Sequence, residues 1–176
     1  DGLFSDFNYY NPDMLLEIPK SCVHNGKLKL SAAKKLVFSD PYACMLFQLE
    51  RIEDLGEAHN FRVEMAKTGL CEKEARCSAK KHIFDRTVIF GLGTTGMFIG
   101  DLIKRNYPDS NIVFVARSNE ASAKVKFALE ITGAGYVKSE FENNADLAAA
   151  IENKLGGKAT LFIGTSGSNT EHRIAF

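Results

Sequence analysis

From Arg86 onward the chain alternates short apolar, β-branched runs with stretches of helical periodicity, and this alternation limits the fold more than any other feature. TVIF at 87–90, NIVFVA at 111–116, GYVKS at 135–139 and ATLFIG at 159–164 read as strands. Between them, Thr95 to about Asn106, Glu120 to about Thr132 and NNADLAAAIENKL at 143–155 read as helices. Consecutive strands separated by a helix must run parallel, because the chain has to cross over before it can pair again, and the crossover is right-handed. The expected fold is α/β: a Rossmann-like, doubly wound parallel sheet in partial form. Its four strands take the order 3-2-1-4, the first half of the fold plus the strand after the switch point.

The turn leaving the first of these strands is Gly91-Leu92-Gly93-Thr94-Thr95-Gly96, a G-x-G-x-x-G. Each glycine answers a different demand: the first a tight turn, the second close approach of a pyrophosphate to the backbone, the third close packing of the following helix. Free N–H groups at the start of that helix suit an anion, and Thr94 and Thr95 can add hydroxyl donors. Such a motif alone is weak. Here it follows an apolar strand and opens an apolar helix, and a second buried strand ends about 20 residues later, which is the context a dinucleotide requires.

At the end of that second strand an acid would bind the ribose 2′-hydroxyl. This chain has Val115-Ala116-Arg117-Ser118 instead. With Ala116 at the acid's position and a guanidinium beside it, a 2′-phosphate meets donors rather than a repelling charge. Ser118 can add a hydroxyl contact. The expected cofactor is NADP in preference to NAD. A solvated Arg117, or one stacked on adenine in an enzyme that takes either cofactor, is the plainer alternative.

The first half is less regular. Residues 3–18 read as strand and loop, with a turn at Asn11-Pro12-Asp13. Pro41 to Leu55 reads as a helix with Asp40 as N-cap, Pro41 at the first position, and apolar residues at 42, 45, 46, 49 and 52. Residues 57–82 hold one or two exposed helices, read as surface padding rather than oligomer contacts. The implied organisation is an edge-and-connector region at 1–40, an interdomain helix and helical insertion at 41–82, and the nucleotide-binding domain at 83–176. Both ends read as cuts.

Lys plus Arg and Asp plus Glu balance at 22 each, so no overall basic field favours a nucleic acid partner. Apolar runs fall well short of the roughly 20 residues of a spanning helix, and no signal peptide opens the chain, so no membrane partner is expected and a cytoplasmic location is the default. The four cysteines form no short metal-ligand pair and read as reduced structural thiols. The four histidines, His24, His59, His82 and His172, read as surface or packing residues, and no catalytic residue is identified.

Several segments together resemble the zinc-type medium-chain alcohol and polyol dehydrogenases. Asp1-Gly2-Leu3-Phe4-Ser5-Asp6-Phe7 resembles that family's G-x-[YF]-A-E-[YF] strand, and Met14-Leu15-Leu16-Glu17-Ile18-Pro19 its N-L-x-x-[IL]-P segment. Ser39-Asp40-Pro41-Tyr42-Ala43-Cys44 resembles the E-P-x-A-C start of its interdomain helix. Gly164-Thr165-Ser166-Gly167 resembles the T-G turn after the fourth strand, which implies a cofactor contact at Thr165. Residues 99–119 look closest to pentitol-phosphate enzymes such as ribulose-5-phosphate reductase.

The resemblance implies hydride transfer between NADP(H) and an alcohol, polyol or sugar (phosphate) carbonyl. It also implies zinc in the full-length enzyme as a Lewis acid, and a homo-oligomer in full-length form. The zinc motifs of the family's catalytic domain are absent from this chain, so it should be inactive alone. Asp40 matches the family's further zinc ligand, one carbon shorter, although an N-cap role explains it equally well. The alternative reading is a non-catalytic NAD(P)-binding sensor or interaction module. An S-adenosylmethionine methyltransferase fits less well, because it usually keeps the acid that Ala116 replaces.

Overall fold

The computed structural model describes residues 30–69, 71–141 and 143–166 together with the backbone of 23–24 and 27–28; side chains are described from Pro41 onward, apart from 67 and 68. Residues 3–18, with the strands read there, and His172 lie outside the described residues. The chain divides into two compact units, Asp1–Asp40 and Pro41–Phe176. In the first, β1 (Val23–His24) pairs antiparallel with β2 (Lys27–Leu28), Val23 opposite Leu28. Between them stands Asn25-Gly26, the pair that a two-residue hairpin turn favours.

Helix α1 covers Leu30–Thr68. It corrects the expectation of a helix that begins at Pro41: the proline lies inside, and Asp40 is an interior position rather than an N-cap. The residues before it, Ser31-Ala32-Ala33-Lys34-Lys35-Leu36, are mostly strong helix formers. A proline already has helical φ, so the helix continues at the loss of one backbone bond and some crowding of the preceding turn. Of its apolar positions, Leu49 is buried, and Tyr42, Met45 and Ile52 pack on the same core, whereas Leu46 faces outward. Despite its length, α1 is not apolar enough to cross a membrane, and neither is any other helix among the described residues.

Helix α2 (Glu72–His82) opens with the Cys71 N–H donating to Glu74 Oε2 at 3.1 Å. The 57–82 region is more than surface padding. Ala75 and Ala79 are fully buried, and a Cβ added to Gly56 would meet the Ile83 side chain at 2.8 Å. The Asn60 amide donates to the Ala79 carbonyl, Ser78 Oγ donates to Glu64, and Arg76 bridges Glu57 and Glu72. Small residues at the contact let the two helices approach closely, a pairing that mixed charge along the segment conceals from a one-dimensional reading.

The second unit then alternates as expected: β3 (Arg86–Phe90), α3 (Thr94–Asn106), β4 (Asn111–Ala116), α4 (Ala123–Thr132), β5 (Gly135–Lys138), α5 (Asn144–Leu155) and β6 (Leu161–Gly164). The four strands form one sheet in the order β5-β4-β3-β6, every pair parallel, which is the 3-2-1-4 order. Thr87 lies opposite Ile112 on one side and Leu161 on the other.

Alternation along the strands divides the core. Ile89, Ile112, Phe114 and Tyr136 face α3 and α4 with Ile99, Leu102, Ile103, Val125 and Ala128. Val88, Phe90, Val113, Val115 and Val137 face α5 with Leu147, Ile151 and Leu155. A side chain that points to alternate faces at every step makes a strand covered on both sides apolar throughout, which is why NIVFVA carries no polar residue inside it. The crossovers before β4 and β5 thus lie on one face and the crossover to β6 on the other. Between β3 and β6 the winding reverses.

Candidate functional site

A cleft of about 370 Å³ opens at the carboxyl ends of the strands. Gly91, Leu92 and Gly93 line it from the turn after β3, Ala116, Arg117 and Ser118 from the turn after β4, Ser139 and Glu140 from the end of β5, and Thr165 and Ser166 from the end of β6. Four turns that are far apart in sequence converge because parallel strands bring all their carboxyl ends to one edge. The volume falls in the range of small-molecule sites.

The three glycines separate physically. Gly91 has φ +109°, a conformation closed to L side chains, and a Cβ there would stand 2.5 Å from Thr165 Oγ1. At Gly96, in the first turn of α3, an added Cβ would collide with the Gly91 carbonyl oxygen. The fold itself requires both. Gly93 is different: with φ −87° and ψ −175° its backbone suits any residue, and an added Cβ would meet nothing within 4 Å. Among the described residues no contact explains the missing side chain at Gly93, which lines the cleft.

Gly93 is also the N-cap of α3, and no side chain among the described residues caps this helix. By contrast the Ser122 hydroxyl accepts from the Val125 N–H at the start of α4, and the Asn143 side chain accepts from the Asp146 N–H at the start of α5. The first-turn N–H groups of α3 have no intrahelical acceptor and no capping side chain among the described residues, and they carry the positive end of the helix dipole. Thr94 is exposed and Thr95 half-buried, both at this end.

Thr165 serves the loop from beneath. Its N–H donates to the Phe90 carbonyl at 2.8 Å, and its hydroxyl is shared between the carbonyls of Phe90 at 3.0 Å and Gly91 at 3.2 Å. The Gly91 N–H in turn donates to the Val115 carbonyl at 2.8 Å. The glycine turn is therefore held from both neighbouring strands, and the hydroxyl of Thr165 is committed to that task while the residue lines the cleft.

On the far side, Ala116 is half-buried and leaves no carboxylate facing the cleft, and Arg117 is exposed. Lys124, in the first turn of α4, lines the same cleft, a contribution that no motif in the sequence announces. Neither cation has an ion pair or side-chain hydrogen bond among the described residues. Glu140 is the counter-example, an acid at the cleft whose carboxylate is paired with Lys138 Nζ at 2.5 Å. Tyr136 is a second residue that the sequence did not flag: its hydroxyl is shared between the Ala116 carbonyl at 2.8 Å and the Ser118 carbonyl at 2.6 Å.

The arrangement can hold a ligand with an anionic group over the glycine turn and a second anionic group beside Arg117 and Lys124. Among the described residues no three His, Cys, Asp or Glu side chains converge on a common point that could hold zinc. The position of Asp40 is interior to α1 and its side chain lies outside the described residues. The zinc implied by the resemblance would have to be held by residues outside those described. His82 sits away from the cleft, with Nδ1 at 2.9 Å from Asp85 and Nε2 at 3.6 Å from Glu64, and His59 is exposed. Cys44, Cys71 and Cys77 are free thiols, exposed rather than packed in the core. Compared with models of protein families, with curated proteins and with solved structures, the chain matches none.

Proposed function

We propose that this chain is the cofactor-binding part of an NADP-preferring oxidoreductase that transfers hydride between NADP(H) and an alcohol, polyol or sugar (phosphate) carbonyl. The observation that carries the binding half of this reading is Gly93, whose glycine identity serves no contact among the described residues and leaves room at a helix start that no described side chain caps. A dinucleotide pyrophosphate fits that room: it accepts from the free N–H groups, and a Cβ would block its approach. Arg117 and Lys124, with no carboxylate at Ala116, favour a ribose bearing a 2′-phosphate. NADP, when bound, supplies the hydride chemistry; the residues described here bind and orient it.

The zinc-type polyol dehydrogenase assignment rests on the N-terminal and interdomain segments quoted above, and with it come a cytoplasmic setting and a homo-oligomeric full-length enzyme. Hydrogen exchange with and without NADPH tests the binding site. Protection should concentrate at 91–96 and 116–118, and protection confined to residues outside the cleft, or none, would remove the reading. For the chemistry, the isolated chain should not reduce sugar-phosphate or polyol-derived carbonyl compounds with NADPH. Turnover by this chain with metals chelated would contradict the zinc-type assignment.

A further inference from the structure

Tyr136 lies near the middle of β5, 4% exposed, its ring in the core that α3 and α4 cover. A phenylalanine would fill that space equally well, so packing accounts for the ring and not for the hydroxyl. That hydroxyl, with its single proton shared between the carbonyls of Ala116 and Ser118, reaches the two residues that flank Arg117. The Ala116 carbonyl also accepts from the Ser139 N–H at 2.9 Å. The turn that carries Arg117 is thus tied on both sides to the neighbouring strand and its end.

We propose that Tyr136 is a positioning residue for cofactor selectivity: its hydroxyl holds the Ala116–Ser118 turn in the form that presents Arg117 to the cleft. The inference rests on the reading of the cleft as an NADP site. Arg117 has no hydrogen bond or ion pair of its own among the described residues, so its side chain depends on the backbone beneath it for direction. A short turn at a strand end has few other restraints. Burial pushes the Tyr136 phenol up, with Glu120 and Glu140 acting in the same sense, so the group remains a donor across the neutral range. A capping hydroxyl that merely satisfied two carbonyls would affect every ligand of the cleft alike. A positioning hydroxyl affects the ligand that uses Arg117.

The test is a double-variant cycle on Tyr136→Phe and Arg117→Ala, with dissociation constants measured for NADPH and NADH and thermal unfolding recorded for each protein. Apparent affinity falls in proportion to the fraction of protein in the competent form. If loss of the hydroxyl leaves a third to a tenth of the population competent, NADPH weakens by about three- to tenfold. NADH should weaken by less than about twofold, and in the Arg117→Ala background the tyrosine substitution should have no further effect on NADPH. In the free protein, amides of 116–118 should exchange faster in Tyr136→Phe than in wild type.

Should Tyr136→Phe fold poorly, Ser139→Pro removes the other donor to the Ala116 carbonyl and should shift the same NADPH-to-NADH ratio. Equal weakening of both dinucleotides, or independent effects in the double variant, would overturn the role of Tyr136 while leaving the NADP site intact. A wild-type protein that binds neither dinucleotide, or binds NADPH no tighter than NADH, would overturn the cofactor reading and this inference with it.

Discussion

Alanine at Gly91, Gly93 and Gly96 should give three different outcomes, although a motif treats the positions alike. At Gly96 the new Cβ meets the Gly91 carbonyl oxygen, a backbone atom that cannot swing aside, while Thr165 Oγ1 stands 3.1 Å away on another side. Overpacking of this kind costs about 1–3 kcal/mol, and a backbone obstacle belongs at the upper end. At Gly91, backbone strain at φ +109° adds about 1–2 kcal/mol to the contact with Thr165. At Gly93 two small effects oppose: alanine is a somewhat poorer N-cap than glycine, and its stiffer unfolded chain stabilises by roughly 0.4–1 kcal/mol. The net change there should lie within about 0.5 kcal/mol of zero.

In a protein of 176 residues, 2–3 kcal/mol corresponds to a fall in Tm of roughly 4–12 °C, and 0.5 kcal/mol to about 2 °C at most. Thermal unfolding of the three variants should therefore leave Gly93→Ala near wild type and the other two well below. NADPH titration of the folded proteins should show the opposite order of interest: Gly93→Ala keeps its fold and loses at least about tenfold in affinity, about 1.4 kcal/mol. The reasoning is refuted if Gly93→Ala destabilises as much as Gly96→Ala, or if it binds NADPH as tightly as wild type.

Three further outcomes follow from the same geometry. Arg117→Ala and Lys124→Ala should each weaken NADPH by about tenfold at low salt, less at high salt, and leave NADH within about twofold, read by calorimetric titration at two ionic strengths. Thr165→Val, which keeps the volume and removes the hydroxyl shared between Phe90 and Gly91, should lower unfolding free energy by about 1 kcal/mol in urea titration and weaken NADPH; unchanged values for both would mean that the staple under the turn is idle. Burial, and then its hydrogen bond to Glu53 at 2.7 Å, raise the Tyr107 phenol above its ordinary value, so the folded state holds that proton more tightly than the unfolded chain. Its contribution is complete below about pH 10 and declines as pH rises beyond that; Tyr107→Phe should flatten the alkaline limb of a stability-versus-pH curve, and an unaltered limb would contradict the assignment.

The strand-helix alternation after Arg86 was legible because each segment's period is local. A strand covered on both faces has to be apolar, as in NIVFVA, and a helix on one face has to repeat near 3.6 residues. The sheet order followed from parallel crossovers and their hand. The start of α1 was not legible at Asp40-Pro41: cap and proline signals are local as well, and a preceding run of helix formers outweighed them. The α1–α2 contact was hidden because its buried residues are glycine and alanine, which carry little hydrophobic signal.

In the cleft, the glycine turn and Arg117 were legible by spacing. The sequence could not show that the fold demands Gly91 and Gly96 while a Cβ at Gly93 would meet nothing among the described residues, because that distinction depends on where the Thr165 turn and the Gly91 carbonyl stand in space. Lys124 lines the same cleft from the next helix, and Tyr136 on the next strand bonds the carbonyls of Ala116 and Ser118 beneath it, at distances along the chain that no motif fixes.

The cleft between the glycine turn and Arg117 is proposed as a site for NADP. Its most direct test is calorimetric titration of the wild-type chain with NADPH and with NADH under identical low-salt conditions. Both should bind at one site, with NADPH about tenfold tighter or more, as one charge-assisted hydrogen bond to the 2′-phosphate would give. Absence of heat and of competition for either dinucleotide would contradict the claim.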